Sequence, residues 1–323
     1  MVRSTSCAFT ISVLCCLLPP VAYGEEPIGQ SKSELRGGET ITGFAGVVEV
    51  VGCGGAMVSA NTVVTAAHCL QTGANAPTGG TFASATIIYY DPLEGRRTVF
   101  SGPARWWVVK GFDIADVNTN DRNFLEKDVG VVRVTGSFAN TDYSDYMRLY
   151  SGFGSKIGDG LAIYGGGIHN YSGGSDDALR KATFDIEDVD RDVIEVDTRK
   201  LVGLCPGDSG SPAIRFGFLG VTAIVPQLVG VVSATDPNEG DEGTGAGAFC
   251  SNNDPPYDDG YVARVNWGKF VDLARRSKLD CPLFGTEETA YRRCFELPFI
   301  ENVPYEGTLS REMATAITVS GVL

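Results

Sequence analysis

Between residues 47 and 265 the chain is a succession of short apolar runs, each ended by Gly, Asp, Asn or another turn residue. The runs 47–51, 56–59, 62–65, 85–90, 97–100, 106–109 and 129–134 form a first set. A second set comprises 161–164, 182–186, 193–196, 213–216, 228–234 and 260–265. Runs this short suit strands rather than helices, and many of them in series predict an all-β fold of antiparallel barrels or a sandwich. The 41 glycines and 15 prolines supply the turns that such a fold needs. One helix is expected late, where Trp267, Phe270, Val271 and Ala274 share a face, Asn266 serves as N-cap and Arg275 and Arg276 occupy the last turn. That stripe is expected to pack on the core. Residues 236–247, rich in Asp, Glu and Gly, read as an exposed loop.

The N-terminus reads as an export signal, with Arg3, an apolar stretch over 8–18 and small residues at Ala22 and Gly24. The stretch is short and is broken by Pro19-Pro20, so stable membrane insertion is not expected. The predicted organisation is a signal peptide over 1–24, a propeptide or linker over 25–36, a folded domain over 37–276 and a C-terminal extension over 277–323. Loss of the leader removes Cys7, Cys15 and Cys16 and leaves Cys53, Cys69, Cys205, Cys250, Cys281 and Cys294. An even set in an exported chain predicts disulfides, although the pairing stays open from the count alone. No Cys-x-x-Cys spacing occurs among them and the chain has only two histidines, which argues against structural zinc. A net charge of −14 disfavours nucleic acid and anionic membranes as partners. No cofactor or metal is expected.

The chemistry-bearing residues fall in three strings. A serine hydroxyl becomes a useful nucleophile only with a base in hydrogen-bond reach, an acid that orients the base, and donors for the oxyanion. Ser209 stands in Cys205-Pro206-Gly207-Asp208-Ser209-Gly210-Ser211-Pro212, where Gly207 permits close backbone approach and the Gly207 and Ser209 amides are the candidate oxyanion hole. His68 closes the string Val63-Val64-Thr65-Ala66-Ala67-His68-Cys69, in which a strand delivers an imidazole and a cysteine can fasten its end. His169 lacks such a scaffold and reads as a loop residue. Asp128 opens the strand Val129-Gly130-Val131-Val132-Arg133-Val134; an acid there is costly to bury unless a donor such as an imidazole N–H satisfies it. Asp113, Asp116 and Asp121 are its rivals, in more polar surroundings.

These three strings, in the order His, Asp, Ser, resemble the motif blocks of the chymotrypsin/trypsin family of serine proteases. Cys53-Gly54-Gly55, Ile163-Tyr164-Gly165-Gly166, Val231-Val232-Ser233 and the helical segment 267–275 resemble further family landmarks. The resemblance implies two six-stranded antiparallel β-barrels with a C-terminal α-helix and a catalytic His68–Asp128–Ser209 triad in the cleft between them. It implies disulfides Cys53–Cys69 and Cys205–Cys250, with Cys281–Cys294 remaining as a third pair that has no family counterpart.

The resemblance also places a specificity pocket for P1, the residue whose carbonyl is attacked. Its base is Gly203, six residues before Ser209, and its walls are Ser233, Thr235 and Gly260. Gly203 carries no charge and Thr235 stands where the family usually has glycine. A preference for small or apolar P1 residues is therefore expected over a basic one, unless Asp258 or Asp259 enters the pocket. In the family, Asp208 would form the ion pair with the new N-terminus of an activated zymogen. The start here, Leu35-Arg36-Gly37-Gly38, leaves cuts after Glu34 and after Arg36 both open. The expected function is that of a secreted, monomeric serine endopeptidase acting on proteins or peptides through an acyl-enzyme, with an activating protease and protease inhibitors as further partners. The competing reading is a catalytically silent protease homologue that binds or inhibits other proteins. The glutamyl-endopeptidase branch typically carries Asn at the position of Asp208, and Asn170-Tyr171-Ser172 fits a glycosylation sequon.

Overall fold

A strand of three residues, β1 (Glu39–Ile41), precedes the first barrel in this computed structural model. The barrel itself is built from β2 (Val47–Val50), β3 (Cys53–Ser59), β4 (Thr62–Thr65), β5 (Gly79–Asp91), β6 (Gly95–Val108) and β7 (Gly130–Val134). They close in the order β2-β3-β4-β7-β6-β5, each pair antiparallel. A single helical turn, α1 (Arg122–Leu125), lies between β6 and β7. After a two-residue strand, β8 (Arg148–Leu149), come β9 (Gly160–Gly165), β10 (Leu179–Val189), β11 (Val193–Asp197), β12 (Pro212–Leu219), β13 (Ala223–Asp236) and β14 (Asp259–Arg264). These six close antiparallel in the order β9-β10-β11-β14-β13-β12, because β9 pairs with both β10 and β12. β1 adds to the outside of β10, and β8 pairs parallel with β13. Helix α2 (Lys269–Ser277) and a hairpin of β15 (Asp280–Pro282) and β16 (Tyr291–Arg293) follow. The fold is thus all-β, two six-stranded antiparallel barrels with a C-terminal α-helix.

The structure describes residues 35, 38–71, 73, 75–119, 122–149, 155–166, 178–190, 192–198, 203–204, 207–219, 223–236, 259–265, 269–282 and 291–293. The leader, most of 25–36, the loop 236–247 beyond Asp236, His169, Asn170, Asp121, Asp258, Asn266 and Trp267 lie outside them. So do Cys205, Cys250 and Cys294. The described residues belong to one compact unit, 32–323. No described helix is long and apolar enough to cross a membrane.

Alternation makes these barrels: β-branched residues line the inner face while short or polar residues face outward. Met57, Val63, Ile87, Val108 and Val132 are fully buried in the first barrel. Leu161, Ile163, Phe184, Ile194, Val196 and Val262 fill the second. A third cluster joins the two, with Val64 and Val131 from the first barrel packed with Ile214, Leu228 and Val231 from the second. Phe270, Leu273 and Ala274 of α2 complete it. Tyr90 of β5 donates a hydrogen bond to Gly166 O across the barrel junction, and Phe44 stacks on Tyr164 with ring centroids 4.1 Å apart. Arg276 of α2 donates to Thr78 O and Val108 O, and Arg133 of β7 donates to the carbonyls of Ser277 and Lys278 at the helix end. Those last carbonyls have no intrahelical partner, so a cation there is well placed.

The strands run longer than the sequence pattern suggests. The two runs at 97–100 and 106–109 are one strand, which continues through Gly102-Pro103 because β5 and β7 flank it and a register shift between Phe82 and Ala85 absorbs the irregularity. The β12–β13 hairpin likewise extends to Leu219 and begins again at Ala223, with Pro226 opposite Phe216. Leu35, placed by its sequence in the 25–36 stretch, is fully buried in the second barrel's core.

Candidate functional site

His68 follows β4 after two fully buried alanines, Ala66 and Ala67, which leave no room for the chain to bow outward. Cys69 is disulfide-bonded to Cys53, the first residue of β3. Strand pairing and a covalent bond therefore fix the imidazole from both sides. Asp128 stands two residues before the start of β7, which pairs with β4 in a register that sets Gly130 opposite Thr65. The carboxylate is fully buried and receives three donors. His68 N–H reaches Oδ1 at 2.8 Å, His68 Nδ1 lies 2.7 Å from Oδ2, and Ser233 Oγ donates to Oδ2 at 2.6 Å. Donors in this number make a buried carboxylate tolerable.

The same contacts set the basicity of His68. Burial works against its protonated form, but the negative charge of Asp128 and the hydrogen bond to it prevail, so the imidazole pKa is raised above its ordinary 6.5. With Nδ1–H committed to Asp128, Nε2 is the nitrogen left to accept a proton. The His68 side chain is 18% exposed, so the imidazole is not sealed from solvent.

Ser209 is half-buried on the turn that leads into β12. Its carbonyl accepts from Gly54 N–H at 2.8 Å, and Gly210 N–H donates to Val232 O at 2.8 Å. Ser211 N–H closes the turn on Asp208 O at 2.9 Å. Gly207 and Gly210 both have positive φ, at 104° and 77°. A Cβ on Gly210 would collide with Thr65 Oγ1 and Gly54 O, so the turn can lie against β3 and the end of β4 only with glycine there. This brings the Ser209 backbone beside the strand that carries His68. Among the described residues, Ser209 Oγ makes no hydrogen bond to His68, and the Gly207 and Ser209 amides donate to no backbone carbonyl.

Of the pocket residues expected from sequence, Gly203 is buried, and Gly260 sits on β14 opposite Thr235. The Ser233 hydroxyl is turned onto Asp128, to which it donates. Asp113 caps the 113–116 turn and binds Asn75 N–H, away from His68, while Asp208 is fully buried beside the second barrel. Leu35, the residue that a cut after Glu34 would leave first, lies near Asp208: a Cβ on Gly165 would collide with Asp208 Oδ1 and lie 3.4 Å from Leu35 Cγ. Sequence reasoning missed Leu204, which is 2% exposed, packs on Gly260 and carries no polar group that could have drawn attention to it. Cys53, His68 and Cys69 cluster closely enough to suggest metal ligation, but the two sulfurs are bonded to each other and offer no thiolate.

Comparison with known proteins agrees with this architecture. The trypsin family model matches residues 37–252, more than half of the chain. A sequence comparison with curated proteins gives no match. Among solved structures, the scabies mite inactivated protease paralogue S-D1 superposes with a TM-score of 0.50 at 17% identity, covering 76% of this chain and 97% of that one. Such a likeness bears on the fold alone; the family follows from the match of the sequence model over 37–252, which takes in the first barrel and all but the last strand of the second, and on that ground the chain belongs to the trypsin family.

Proposed function

We propose that the chain is an exported serine endopeptidase in which Ser209 is the nucleophile, His68 the general base and Asp128 the acid that orients it. The observation that carries this reading is the contact of His68 Nδ1 with the buried Asp128 Oδ2 at 2.7 Å, which leaves Nε2 as the acceptor. Ser209 Oγ attacks the peptide carbonyl while its proton passes to Nε2, and Asp128 stabilises the imidazolium that results. The Gly207 and Ser209 amides receive the oxyanion. Imidazolium then protonates the leaving amine, and water hydrolyses the acyl-enzyme by the reverse sequence. The Cys53–Cys69 disulfide fits an oxidising compartment and so supports export. The unassigned pairs Cys205–Cys250 and Cys281–Cys294 belong to the same proposal.

Activation belongs to it too. Asp208 and Leu35 are both fully buried and border the same glycine. A cut after Glu34 would place a new ammonium on the residue already packed beside Asp208, whereas a cut after Arg36 would remove that residue. N-terminal sequencing of active material is expected to begin at Leu35.

A second reading, a silent homologue that binds or inhibits other proteins, draws on two observations. Ser209 and His68 are not hydrogen-bonded, and the S-D1 neighbour is described as inactivated. A fluorophosphonate probe separates the readings. Labelling of the processed chain that disappears in Ser209→Ala supports the protease; a processed chain that stays unlabelled supports the binder.

A further inference from the structure

We infer that the Tyr90 hydroxyl is a positioning group for the turn that carries the candidate oxyanion donors, which it holds through Gly166 and Gly165; this rests on the proteolytic reading above. Tyr90 lies on β5 of the first barrel and is 2% exposed. Its hydroxyl crosses the barrel junction to donate to Gly166 O at 3.3 Å, one residue past the end of β9. A Cβ on Gly166 would collide with that hydroxyl and with Cζ of the same ring, so only glycine lets the chain come this close. The residue before it, Gly165, is pressed in the same way on Asp208, where a Cβ would collide with Oδ1 of the carboxylate. Successive residues of a strand face opposite sides, so the end of β9 is held between Tyr90 and Asp208.

Asp208 stands between Gly207 and Ser209, whose amides are those donors, and its carbonyl accepts from Ser211 N–H to close the turn. Gly166 and Gly207 line one cleft between the barrels, together with Tyr90, Cys53 and Gly54. A path of direct contacts thus runs from the first barrel, through two glycines, into the turn. Tyr90 grips β9 a second time through its backbone: its carbonyl accepts from Phe44 N–H at 2.9 Å, and Phe44 stacks on Tyr164. Removing the hydroxyl releases Gly166 O and lets the 165–166 segment relax into the space the oxygen held, and Asp208 follows. Oxyanion donors must stay within roughly 2.7–3.1 Å of the charge that develops, so a small drift of the turn is felt in the transition state and hardly in the bound substrate. The two glycines of the string Ile163-Tyr164-Gly165-Gly166 are each used, one for either contact.

The test is Tyr90→Phe, which keeps the ring and removes one oxygen, with rates measured well below the variant's thermal midpoint. On a peptide substrate that the wild type cleaves, kcat is expected to fall by about 10-fold, less than the 10²–10³-fold of a deleted oxyanion donor, with KM kept within about 2-fold. The inflexion of kcat/KM with pH is expected to stay in place, because His68 and Asp128 keep their contacts. Amide hydrogen exchange is expected to quicken over 207–210 and to stay unchanged over 63–68. An unchanged kcat, a raised KM with kcat kept, a moved inflexion, or unchanged exchange over 207–210 would each overturn the inference. Exchange reads the coupling without catalysis. A wild type that is unreactive to fluorophosphonate would therefore overturn the proteolytic reading, while the exchange comparison still reports whether Tyr90 holds the turn.

Discussion

Asp128 accepts from a backbone amide, an imidazole and a hydroxyl at once, and those donors decide what each substitution around it should do. Asp128→Asn keeps the volume but offers a donor where Nδ1–H already donates, so the imidazole loses its required tautomer. On the proteolytic reading kcat should fall by roughly 10³–10⁴-fold, measured on a peptide substrate the wild type cleaves. Ser233→Ala removes one donor to a buried carboxylate and should lower stability by about 1.5–3 kcal/mol in urea unfolding, with the fold retained. His68 carries the pH dependence. Its folded pKa lies above 6.5, so protonation favours the folded state and its contribution is complete below the unfolded value. That contribution should be lost as pH rises through the folded pKa, and the stability difference between wild type and His68→Ala should shrink over the same window. On the proteolytic reading the residue is a general base and must be neutral, so kcat/KM should rise with pH through an inflexion above 6.5. Ser209, His68 and Asp128 were legible as candidates because each stands in a local string with its own punctuation. The bond from Ser233 was not, because 105 residues separate it from Asp128 and only the packing of one barrel on the other brings them together. The packing of Leu204 on Gly260 left no trace in the sequence, since nothing in an aliphatic residue marks the neighbours it will meet.

At the level of elements, the approach of the 207–211 turn to β3 and β4 has no slack. A Cβ on Gly54 would stand 2.7 Å from both the Cα and the backbone nitrogen of Ser211, and backbone cannot swing aside as a side chain can. Gly54→Ala should therefore cost about 1–3 kcal/mol and push the Ser209 turn outward, lowering fluorophosphonate reactivity together with the thermal midpoint. The disulfide that ties β3 to Cys69 spans a separation of 16 residues. Converting Cys53 and Cys69 together to Ser should cost about 3 kcal/mol on the chain-entropy model, read as a drop in the urea midpoint. Strand positions were largely legible from the short apolar runs and the turn residues between them, but strand lengths were not. Gly102-Pro103 and Pro226 look like stops in one dimension, and they continue in three because flanking strands and bulges accommodate them. Helix α2 shows the converse. Phe270 and Ala274 were placed on its buried face correctly, and Leu273 joins them from the position between the two.

In the whole molecule, the two barrels share one apolar cluster instead of meeting across a wet seam. Leu228, fully buried there, touches this shared core, and Leu228→Ala should destabilise by about 2–5 kcal/mol. The unfolding should stay a single transition in calorimetry, because removing atoms from a joint core weakens both halves alike. The bond from Ser233 of β13 to Asp128 before β7 is part of that joint. His68 and Asp128 come from one half of the chain, and Ser209 and Ser233 from the other. On the proteolytic reading neither half holds a complete constellation, so competence is a property of their docking. Two fragments, one ending near residue 150 and one beginning there, would then each be inert alone. If mixed, they would recover reactivity only as fast as they find one another, with a rate that grows with concentration as for an assembling dimer.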